Sequence, residues 1–592
     1  MSVSPIEIQG IGAAPGIVIG KVFLLDRRSV IVPHVHLNHT QIEEEIERFL
    51  GALEKSRLQL KEIATKVVQS QNEHASIIQA HEMMLQDPTL VQQTTTRIRN
   101  EQVNAEWAVQ ETLKELGALL EKVESGYLRE RRTDLDFVGQ RIIRNLTGTE
   151  TTWNRDMDDS DPVVLVAHDL SPADTVGLSE KSIAAFATEV GSRTSHTSIV
   201  ARSMDVPAVV GCEALYTRVG HNDTIIVDGL SGTVVLHPNP EQLALARSKQ
   251  ARFDAFSDVL KQQAFGTVQT ADAQEIEVFG NIETPNEAKN VMSRGGSGIG
   301  LYRSEFLFVG RSDLPNEEEH YQTYCSIFDS LGQKPVTVRT FDLGGDKLFG
   351  SAKEAPEANP ALGLRGLRFC LNHGDIFIPQ LKGLLRAGVH GNLRILFPMV
   401  TEVTELKAAK AYLKLACEQL KQEGKTFKTD IPIGCMVEVP SMVFSLREFL
   451  SRVDFLSVGT NDLMQYLLAL DRTNERVAHL YQPLHGGVLH TLNTIAEICK
   501  ESDKPLTICG ELAGEIEYTP ILLGLGYTNL SMNASTIPWV KMAISQLRQD
   551  QCSALVKQVL AAQQMEERAT LLLDFCNKHF PPGLLEHGQH ML

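Results

Sequence analysis

Ionisable side chains that can bind a metal and an anion follow short apolar segments in the C-terminal half of the chain. Glu438 and Asp462 come at the ends of two predicted strands. Two carboxylates can hold one hard cation such as Mg²⁺ when a substrate and water supply the other ligands. Arg303, Arg339 and Arg472 carry forked donors that suit phosphate and carboxylate groups. The combination predicts a site for a small, highly anionic ligand; the alternative is a set of interior ion pairs.

A second reactive side chain, His196, lies in the segment GSRTSHTSIVARSMDVPAVVG, which runs from Gly191 to Gly211. Thr194 and Ser195 are good helix-capping residues, and a plausible helix begins at Thr197. We therefore expect the imidazole at a helix N-terminus, where free N–H groups and the helix dipole stabilise an anion such as a phosphoryl group on the ring. The alternative is a histidine that only caps or fills a turn.

Cys509, in the segment TICGELAG, lies at the end of another predicted strand. A cysteine in an apolar strand is most often a packing residue. Beside a site for a reactive anion, the thiol could instead donate a proton to a reaction intermediate.

The elements that would position these groups repeat along the C-terminal part of the chain. A short apolar strand, a polar residue at its end and a helix follow one another eight times, with strands expected at 276–282, 297–303, 335–342, 393–400, 432–440, 455–462, 505–511 and 529–535. This pattern is typical of a (β/α)8 TIM barrel, in which active-site residues lie at the C-terminal ends of the strands. An open doubly wound sheet is the alternative.

The N-terminal part has two other patterns. Residues 1–25 read as short strands with glycine turns, and residues 38–147 carry apolar side chains at the spacing of a helical bundle. Strand and helix signals then alternate from Val163–Val166 to Thr233–Leu236. The first strands lack a core of their own, so we expect them to pair with this later α/β segment. The bundle is then an insertion in a multidomain α/β protein.

Composition argues against several classes of protein. The net charge of -18 argues against a nucleic-acid binder, which would carry a basic stripe. The nine cysteines are odd in number and contain no C-x-x-C pair, so we expect neither a disulfide framework nor a zinc knuckle. No secretory signal and no apolar run long enough to span a membrane are visible. We therefore expect a cytoplasmic protein without membrane insertion.

The segment around His196 closely resembles the phosphohistidine signature of the PEP-utilising enzyme family, where PEP is phosphoenolpyruvate. Seven other segments resemble the PEP-binding barrel of that family: GIGLYRSEFLF, VRTFDLGGDK, NPALGLRGLR, LRILFPMV, MVEVPSM, FLSVGTNDLMQYLLALDR and CGELAG. The resemblance covers essentially the whole chain and implies a Mg²⁺-dependent phosphotransferase that uses PEP. The order of helical insertion, histidine domain and barrel is similar to that in the branch that serves bacterial sugar uptake.

The resemblance also implies roles for individual residues. His196 would carry the phosphoryl group, Thr175 would be the hydroxyl partner of its ring, and Cys509 would protonate the pyruvate enolate. The residues expected to bind PEP are Arg303, Arg339, Asn461, Asp462 and Arg472, with Arg365 near the same site. The expected Mg²⁺ ligands are Glu438 and Asp462.

A domain organisation follows from the same resemblance. We expect a swivelling phosphohistidine α/β domain at 1–25 and 148–240, an inserted helical subdomain at 26–147, a linker helix at 241–262 and a PEP-binding barrel at 263–592 that also forms a homodimer. The inserted subdomain would bind HPr, a small histidine phosphocarrier. Its expected apolar contacts are Ile77, Met83, Met84 and Leu85; the alternative for each is the bundle core.

Two other functions share parts of this pattern. An ATP-dependent PEP synthase or pyruvate–phosphate dikinase has the same histidine and barrel chemistry, but no ATP-binding motif is visible in this chain. A regulatory phosphoprotein of the nitrogen-linked branch would phosphorylate an HPr-like carrier to signal the supply of PEP. No sensor domain of that branch is recognisable in the sequence.

Overall fold

The computed structural model describes residues 5–25, 32–70, 84–85, 87–121, 126–148, 162–168, 170, 183–191, 197–198, 201, 206–263, 266–308, 313–344, 357, 359–471, 474, 477–581 and 584–587. The chain divides into two compact units, Met1–Ala255 and Phe256–Leu592.

The described strands of the first unit form one mixed sheet. They are β1 Ile6–Gln9, β2 Ile11–Ala14, β3 Ile17–Leu25, β4 Val163–Ala167, β5 Ile183–Thr188, β6 Ala208–Val210, β7 Thr224–Asp228 and β8 Thr233–Leu236. Their order across the sheet is β1-β8-β7-β3-β4-β5-β6-β2. Every residue of β4 is buried, as expected of a central strand covered on both faces. The three N-terminal strands therefore pair with the later α/β segment, as the sequence predicts, whereas the exact domain boundaries stay a prediction.

The helices of the first unit are α1 Ile42–Ser70, α2 Pro88–Glu101, α3 Ala105–Glu121, α4 Gly126–Thr147 and α5 Leu215–Arg218. The next helix, α6 Pro240–Gln263, begins in the first unit and ends in the second. In α1, the buried residues Ile42, Ile46, Phe49 and Leu60 recur at the spacing of one helix face. They share a single apolar core with residues of α2, α3 and α4. This core explains why the predicted helical segment folds as a bundle.

The second unit contains a closed barrel. The described strands of this unit are β9 Val268–Gln269, which pairs antiparallel with β10, and the eight barrel strands β10 Glu275–Ile282, β11 Ile299–Arg303, β12 Pro335–Arg339, β13 Asn392–Phe397, β14 Ile433–Val437, β15 Phe455–Val458, β16 Leu506–Ile508 and β17 Asn529–Asn533. Strands β10 to β17 run parallel in sequence order, and β10 pairs with both β11 and β17. The ring is therefore closed, and the alternative of an open doubly wound sheet is wrong.

Helices of the second unit surround this ring. They are α7 Glu287–Ser293, α8 Glu317–Leu331, α9 Leu367–Asn372, α10 Gly374–Ala387, α11 Val403–Gln422, α12 Pro440–Phe444, α13 Leu446–Phe449, α14 Thr460–Leu468, α15 Gly486–Glu501, α16 Thr519–Leu525, α17 Ile537–Gln546, α18 Gln549–Ala561, α19 Met565–His579 and α20 Leu584–His587. A separate buried cluster holds Leu301, Leu396, Met436, Phe455 and Cys509. These residues come from five parts of the ring, as expected of a packed barrel interior.

The described residues contain neither a disulfide nor a helix that could span a membrane. All nine cysteines are described, and each is a free thiol. Within the described part of the chain, no helix is both long enough and apolar enough to cross a bilayer.

Candidate active site

The barrel collects three pairs of predicted site residues at one end, because the C-terminal ends of parallel strands meet there. These are Arg303 and Arg339, the last residues of β11 and β12; Glu438 and Cys509, which directly follow β14 and β16; and Asn461 and Asp462, in the first turn of α14 after β15. Residues far apart in the chain therefore lie around one barrel mouth.

A buried carboxylate, Asp342, joins two of the predicted arginines. Its Oδ2 atom lies 2.8 Å from Nη1 of Arg339 and 3.0 Å from Nη2 of Arg365. Arg365 also lies 3.4 Å from Oδ2 of Asp462 and donates to the hydroxyl of Tyr466 at 3.3 Å. The result is a continuous network of alternating charges from β12 to α14.

Burial and nearby acids act in opposite directions on the pKa values of Arg339 and Arg365. Burial by itself lowers the pKa of Arg339, but the carboxylates of Glu305, Asp342 and Glu438 raise that pKa above its usual value. The same balance, with Asp342 and Asp462 as the main acids, raises the pKa of Arg365. Both guanidinium groups therefore stay charged. Arg339 Nε is also a buried donor with no partner among the described residues, so it can bind an incoming anion.

Glu438 is the most constrained acid of the mouth. Its Oε1 atom accepts a hydrogen bond from the backbone N–H of Met399 at 2.6 Å, whereas its Oε2 atom is buried with no partner among the described residues. Burial, followed by the carboxylates of Asp342 and Asp462, raises the pKa of Glu438 to about 8, against the opposing effect of Arg339 and Arg365. An unpartnered buried oxygen in a cluster of acids is stabilised by a cation.

The donor set fits a divalent cation that takes only part of its shell from the protein. Glu438 and Asp462 would supply two carboxylate oxygens to such a cation. Among the described residues, no group of three or more His, Cys, Asp or Glu side chains that could hold a metal is present. Two carboxylates with the remaining positions left to ligand and water is the arrangement typical of Mg²⁺.

We expect Glu438→Gln to raise the thermal midpoint of the cation-free protein at pH 8 by about 2–4 °C. The folded-state pKa of Glu438 lies above the unfolded value of 4.5. Its contribution to stability is therefore present below that value and is lost as the pH rises through about 8. Glutamine does not ionise and avoids this loss. Calorimetric scans at pH 5 and pH 8 measure it; a variant less stable than the parent at pH 8 would contradict the expectation.

Cys509 combines an apolar environment with nearby charges. The residue is 2 % exposed, and its thiol donates a weak hydrogen bond to the carbonyl of Val458 at 3.5 Å. Burial raises the pKa of the thiol to about 11; Glu438 adds to that rise, and the nearby Ser457 hydroxyl and the charges of Arg339 and Arg303 oppose it. The side chain is therefore a protonated thiol at neutral pH, beside the charged groups of the mouth.

The amide of Asn461 is oriented by a reciprocal pair of hydrogen bonds with Glu511. Asn461 Nδ2 donates to Oε1 of Glu511 at 3.1 Å, and the backbone N–H of Glu511 donates to Oδ1 of Asn461 at 3.0 Å. The hydroxyl of Tyr481 donates to the backbone carbonyl of Asn461 at 3.1 Å. The predicted ligand contact is thus held between β15 and β16.

Sequence reasoning did not single out several acids that the structure places at the mouth. Glu305 is buried and forms an ion pair with Arg339, and Glu283 forms an ion pair with Arg303 at 2.6 Å. Asp342 and Glu511 are the last residues of the predicted strands 335–342 and 505–511, and the sequence predicted no role for either. Glu305 follows the strand-end Arg303 by two residues, but nothing in the sequence predicted that its partner is Arg339.

Three predicted residues, His196, Thr175 and Arg472, lie outside the described residues. Beside the first of them, Thr197 and Ser198 are described as helical and buried. Those two residues agree with the expected helix after the histidine.

Of the four residues of the bundle that are predicted to contact the carrier, two are described and two are not. Ile77 and Met83 lie outside the described residues. Leu85 is buried in the bundle core, and Met84 is a partly buried side chain packed against it. For Leu85, the alternative of a core residue is therefore the one that the structure supports.

A glycine lets the backbone approach the charge network closely. Gly366 has a φ of +58°, and a Cβ atom there would lie 2.9 Å from Oδ1 of Asp342 and 2.9 Å from Cγ of Met399. Met399 donates its backbone N–H to Glu438. The position therefore needs glycine both for its backbone conformation and for space.

Gly366→Ala is expected to lower the free energy of unfolding by about 1–3 kcal/mol more than Gly424→Ala. The second glycine also has a positive φ, +66°, but a Cβ atom there would meet nothing within 4 Å. Gly366 also combines its positive φ with a ψ of −136°, a conformation that side chains rarely adopt, so the larger loss there reflects both this backbone strain and the crowding against Asp342 and Met399. Urea unfolding of both variants measures the difference; equal losses would show that the mouth relaxes freely.

Comparison with known families matches three successive parts of the chain. Residues 9–131 match "PEP-utilising enzyme, N-terminal", residues 159–232 match "PEP-utilising enzyme, mobile domain" and residues 258–549 match "PEP-utilising enzyme, PEP-binding domain". The third match contains the barrel strands and all the described mouth residues.

Curated relatives match over nearly the full length. The phosphoenolpyruvate-protein phosphotransferase of Staphylococcus aureus is 38% identical over 573 residues, which cover 96% of this chain and 99% of the relative. The protein of the same name from Priestia megaterium is 39% identical over 580 residues, which cover 98% of this chain and 100% of the relative. A solution structure of an Enzyme I protein (nEIt) is 37% identical and covers 42% of this chain and 99% of that chain, with a TM-score of 0.37. That score is too low to support an argument about fold.

Proposed function

The chain belongs to the PEP-utilising enzyme family, and we propose on that basis that it is a phosphoenolpyruvate-protein phosphotransferase, an enzyme I. It transfers the phosphoryl group of PEP through His196 to a histidine of the carrier HPr, which is the first step of sugar uptake by the phosphotransferase system. The observation that carries this proposal is the mouth of the barrel. There, buried arginines, two carboxylates and a protonated thiol lie at the C-terminal ends of the barrel strands.

In the first step, a neutral imidazole nitrogen of His196 attacks the phosphorus of PEP. A nitrogen–phosphorus bond forms, and the bond between phosphorus and the enol oxygen breaks, so the products are phosphohistidine and the enolate of pyruvate. Arg303, Arg339 and Arg472 hold the anionic groups of PEP and stabilise the charge that moves during transfer. Arg365 keeps Asp342 and Asp462 in place, and Asn461 lines the same site.

The enolate is then protonated. We propose that Cys509 donates its proton to the methylene carbon, which yields pyruvate, and that solvent returns a proton to the thiolate. The raised pKa of the thiol, about 11, keeps the donor protonated at neutral pH. In the second step the phosphoryl group passes from His196 to HPr, with Thr175 as the hydroxyl partner of the imidazole.

The reaction needs a divalent cation, and we propose that it is Mg²⁺ held by Glu438 and Asp462. When bound, the cation neutralises charge on the transferring phosphoryl group. The unpartnered Oε2 atom of Glu438 supports this assignment.

The domain boundaries given above, a homodimer through the barrel and a cytoplasmic location stay predictions. Phe444, which is 89 % exposed on the barrel unit, is a side chain that a dimer interface would cover, and sedimentation velocity measures the oligomeric state.

A labelling experiment tests the function. The purified chain is incubated with PEP labelled in its phosphoryl group and Mg²⁺, and purified HPr is then added. We expect a label on the chain that is stable in base and labile in acid, as phosphohistidine is, and its transfer to HPr. HPr incubated with PEP alone serves as the control and should stay unlabelled. An acid-stable label, or a label that never passes to HPr but passes to a carrier of the nitrogen-linked branch, would contradict the proposed role.

A further inference from the structure

Among the described residues, Arg303 forms an ion pair with Glu283. Strands β10 and β11 are parallel, with Asn281 opposite Leu301 and Ile282 opposite Tyr302. The next residues in this register are Glu283 and Arg303, and Oε1 of the acid lies 2.6 Å from Nη1 of the arginine. The sheet register therefore places a carboxylate beside a guanidinium group that is proposed to bind substrate.

The backbone that carries Glu283 is held in place. The carboxylate of Glu287, in the first turn of α7, accepts hydrogen bonds from the backbone N–H groups of Glu283 at 3.1 Å and Thr284 at 3.2 Å. It also accepts one from the Thr284 hydroxyl at 2.7 Å. The acid can therefore leave Arg303 by rotation of its own side chain, without a change in the loop.

The pair with Glu283 differs from the pairs made by the deeper arginines. Arg339 is buried between the carboxylates of Glu305 and Asp342, and these contacts belong to a network that spans the mouth. The Arg303 and Glu283 side chains are 30 % and 29 % exposed, and among the described residues no second acid pairs with Arg303. An ion pair that contacts solvent is weak and exchanges readily.

The surroundings of Glu283 weaken the pair further. Burial raises the pKa of its carboxyl, and the neighbouring carboxylates of Glu287 and Glu305 act in the same direction. Arg303 lowers this pKa, but by less than the other groups raise it. The ionised form of Glu283 is therefore destabilised in this position. A doubly charged phosphate group is a stronger partner for the guanidinium group of Arg303.

We propose that Glu283 is an exchangeable counter-ion of Arg303: it occupies the guanidinium group in the free enzyme, and an anionic group of the substrate displaces it on binding. This role rests on the proposed function of Arg303 in binding PEP. The affinity for the substrate is then the difference between two ion pairs, one with the ligand and one with Glu283. Glu283 thereby keeps PEP binding weaker than the arginines alone would make it.

Glu283→Gln tests the proposal. We expect the variant to bind PEP about threefold to tenfold more tightly, the size expected when a partly exposed competing ion pair is removed. Inorganic phosphate should also become a stronger competitive inhibitor, whereas kcat should change less than twofold. Affinity is measured by calorimetric titration of PEP with Mg²⁺ into His196→Ala protein, with and without the change at Glu283. The value of kcat is measured in protein that retains the histidine.

The control is Glu275→Gln, which removes the same charge from an exposed residue at the other end of β10. It should leave the affinity for PEP and kcat unchanged. Weaker or unaltered PEP binding in the Glu283 variant would overturn the proposal, because it would mean that the acid positions Arg303 or does not compete with the ligand.

Arg303→Met separates this failure from a failure of the proposed function. If the arginine binds PEP, its loss should weaken binding at least tenfold, and adding Glu283→Gln to that variant should then have no further effect. If the Arg303→Met protein binds PEP as tightly as the parent, Arg303 does not bind PEP and that part of the proposed function is wrong. If Arg303→Met weakens PEP binding as expected but Glu283→Gln does not tighten it, only the counter-ion role of Glu283 is overturned.

Discussion

His196→Ala is expected to abolish the transfer of label from PEP to the chain and from the chain to HPr. Alanine has no nucleophilic nitrogen, so no bond to phosphorus can form at this position. The label should fall to background, while PEP still binds, because the groups proposed to hold PEP belong to the barrel. Gel autoradiography measures the label, and calorimetry measures the binding.

The matched control is His168→Ala. His168 lies in the same unit, is more than half exposed and pairs with Glu189 through its Nδ1 atom at 2.6 Å. The chain has 18 histidines, so the control asks whether any exposed histidine can accept the phosphoryl group. Labelling of the His168 variant should be unchanged. Label that persists in the His196 variant would assign the phosphoryl group to another residue.

Cys509→Ala is expected to leave PEP binding within about threefold and to slow phosphorylation of the chain by about 10²–10⁴, the usual contribution of a positioned general acid. The side chain lies in the apolar cluster of the barrel and does not contribute a charge at neutral pH, so its removal should not disturb the arginines. Because the thiol titrates at about 11, the wild-type rate should not fall through its ionisation between about pH 6 and pH 9. Rapid-quench measurement of labelling gives the rate.

The control for this variant is Cys435→Ala. Cys435 is also fully buried in a barrel strand, β14, and burial raises the pKa of its thiol. It belongs to the larger core rather than to the cluster that contains Cys509. Removing its sulfur should therefore reproduce the loss of packing, about 1 kcal/mol, without slowing the reaction. An unchanged rate in the Cys509 variant would leave that thiol as a packing residue only.

The pattern of apolar segments predicted the eight barrel strands, because parallel strands buried on both faces are short and almost uniformly apolar. It also predicted which residues follow each strand. Arg339, Glu438 and Cys509 could therefore be assigned to a common mouth without coordinates, since a closed parallel barrel has only one C-terminal end. The resemblance to a known family then supplied roles that spacing alone left open, such as the choice between packing and proton donation at Cys509.

Only the tertiary structure decided how the charges of the mouth are shared. Asp342 pairs with Arg339 and Arg365, and Glu283 pairs with Arg303, although the partners are separated in sequence by 3, 23 and 20 residues. The sequence determined the order of strands and the residue types at their ends. It could not determine these partners, because the energy of an ion pair depends on the distance between two charged atoms, and local residue patterns do not fix the distance between side chains from different strands and loops.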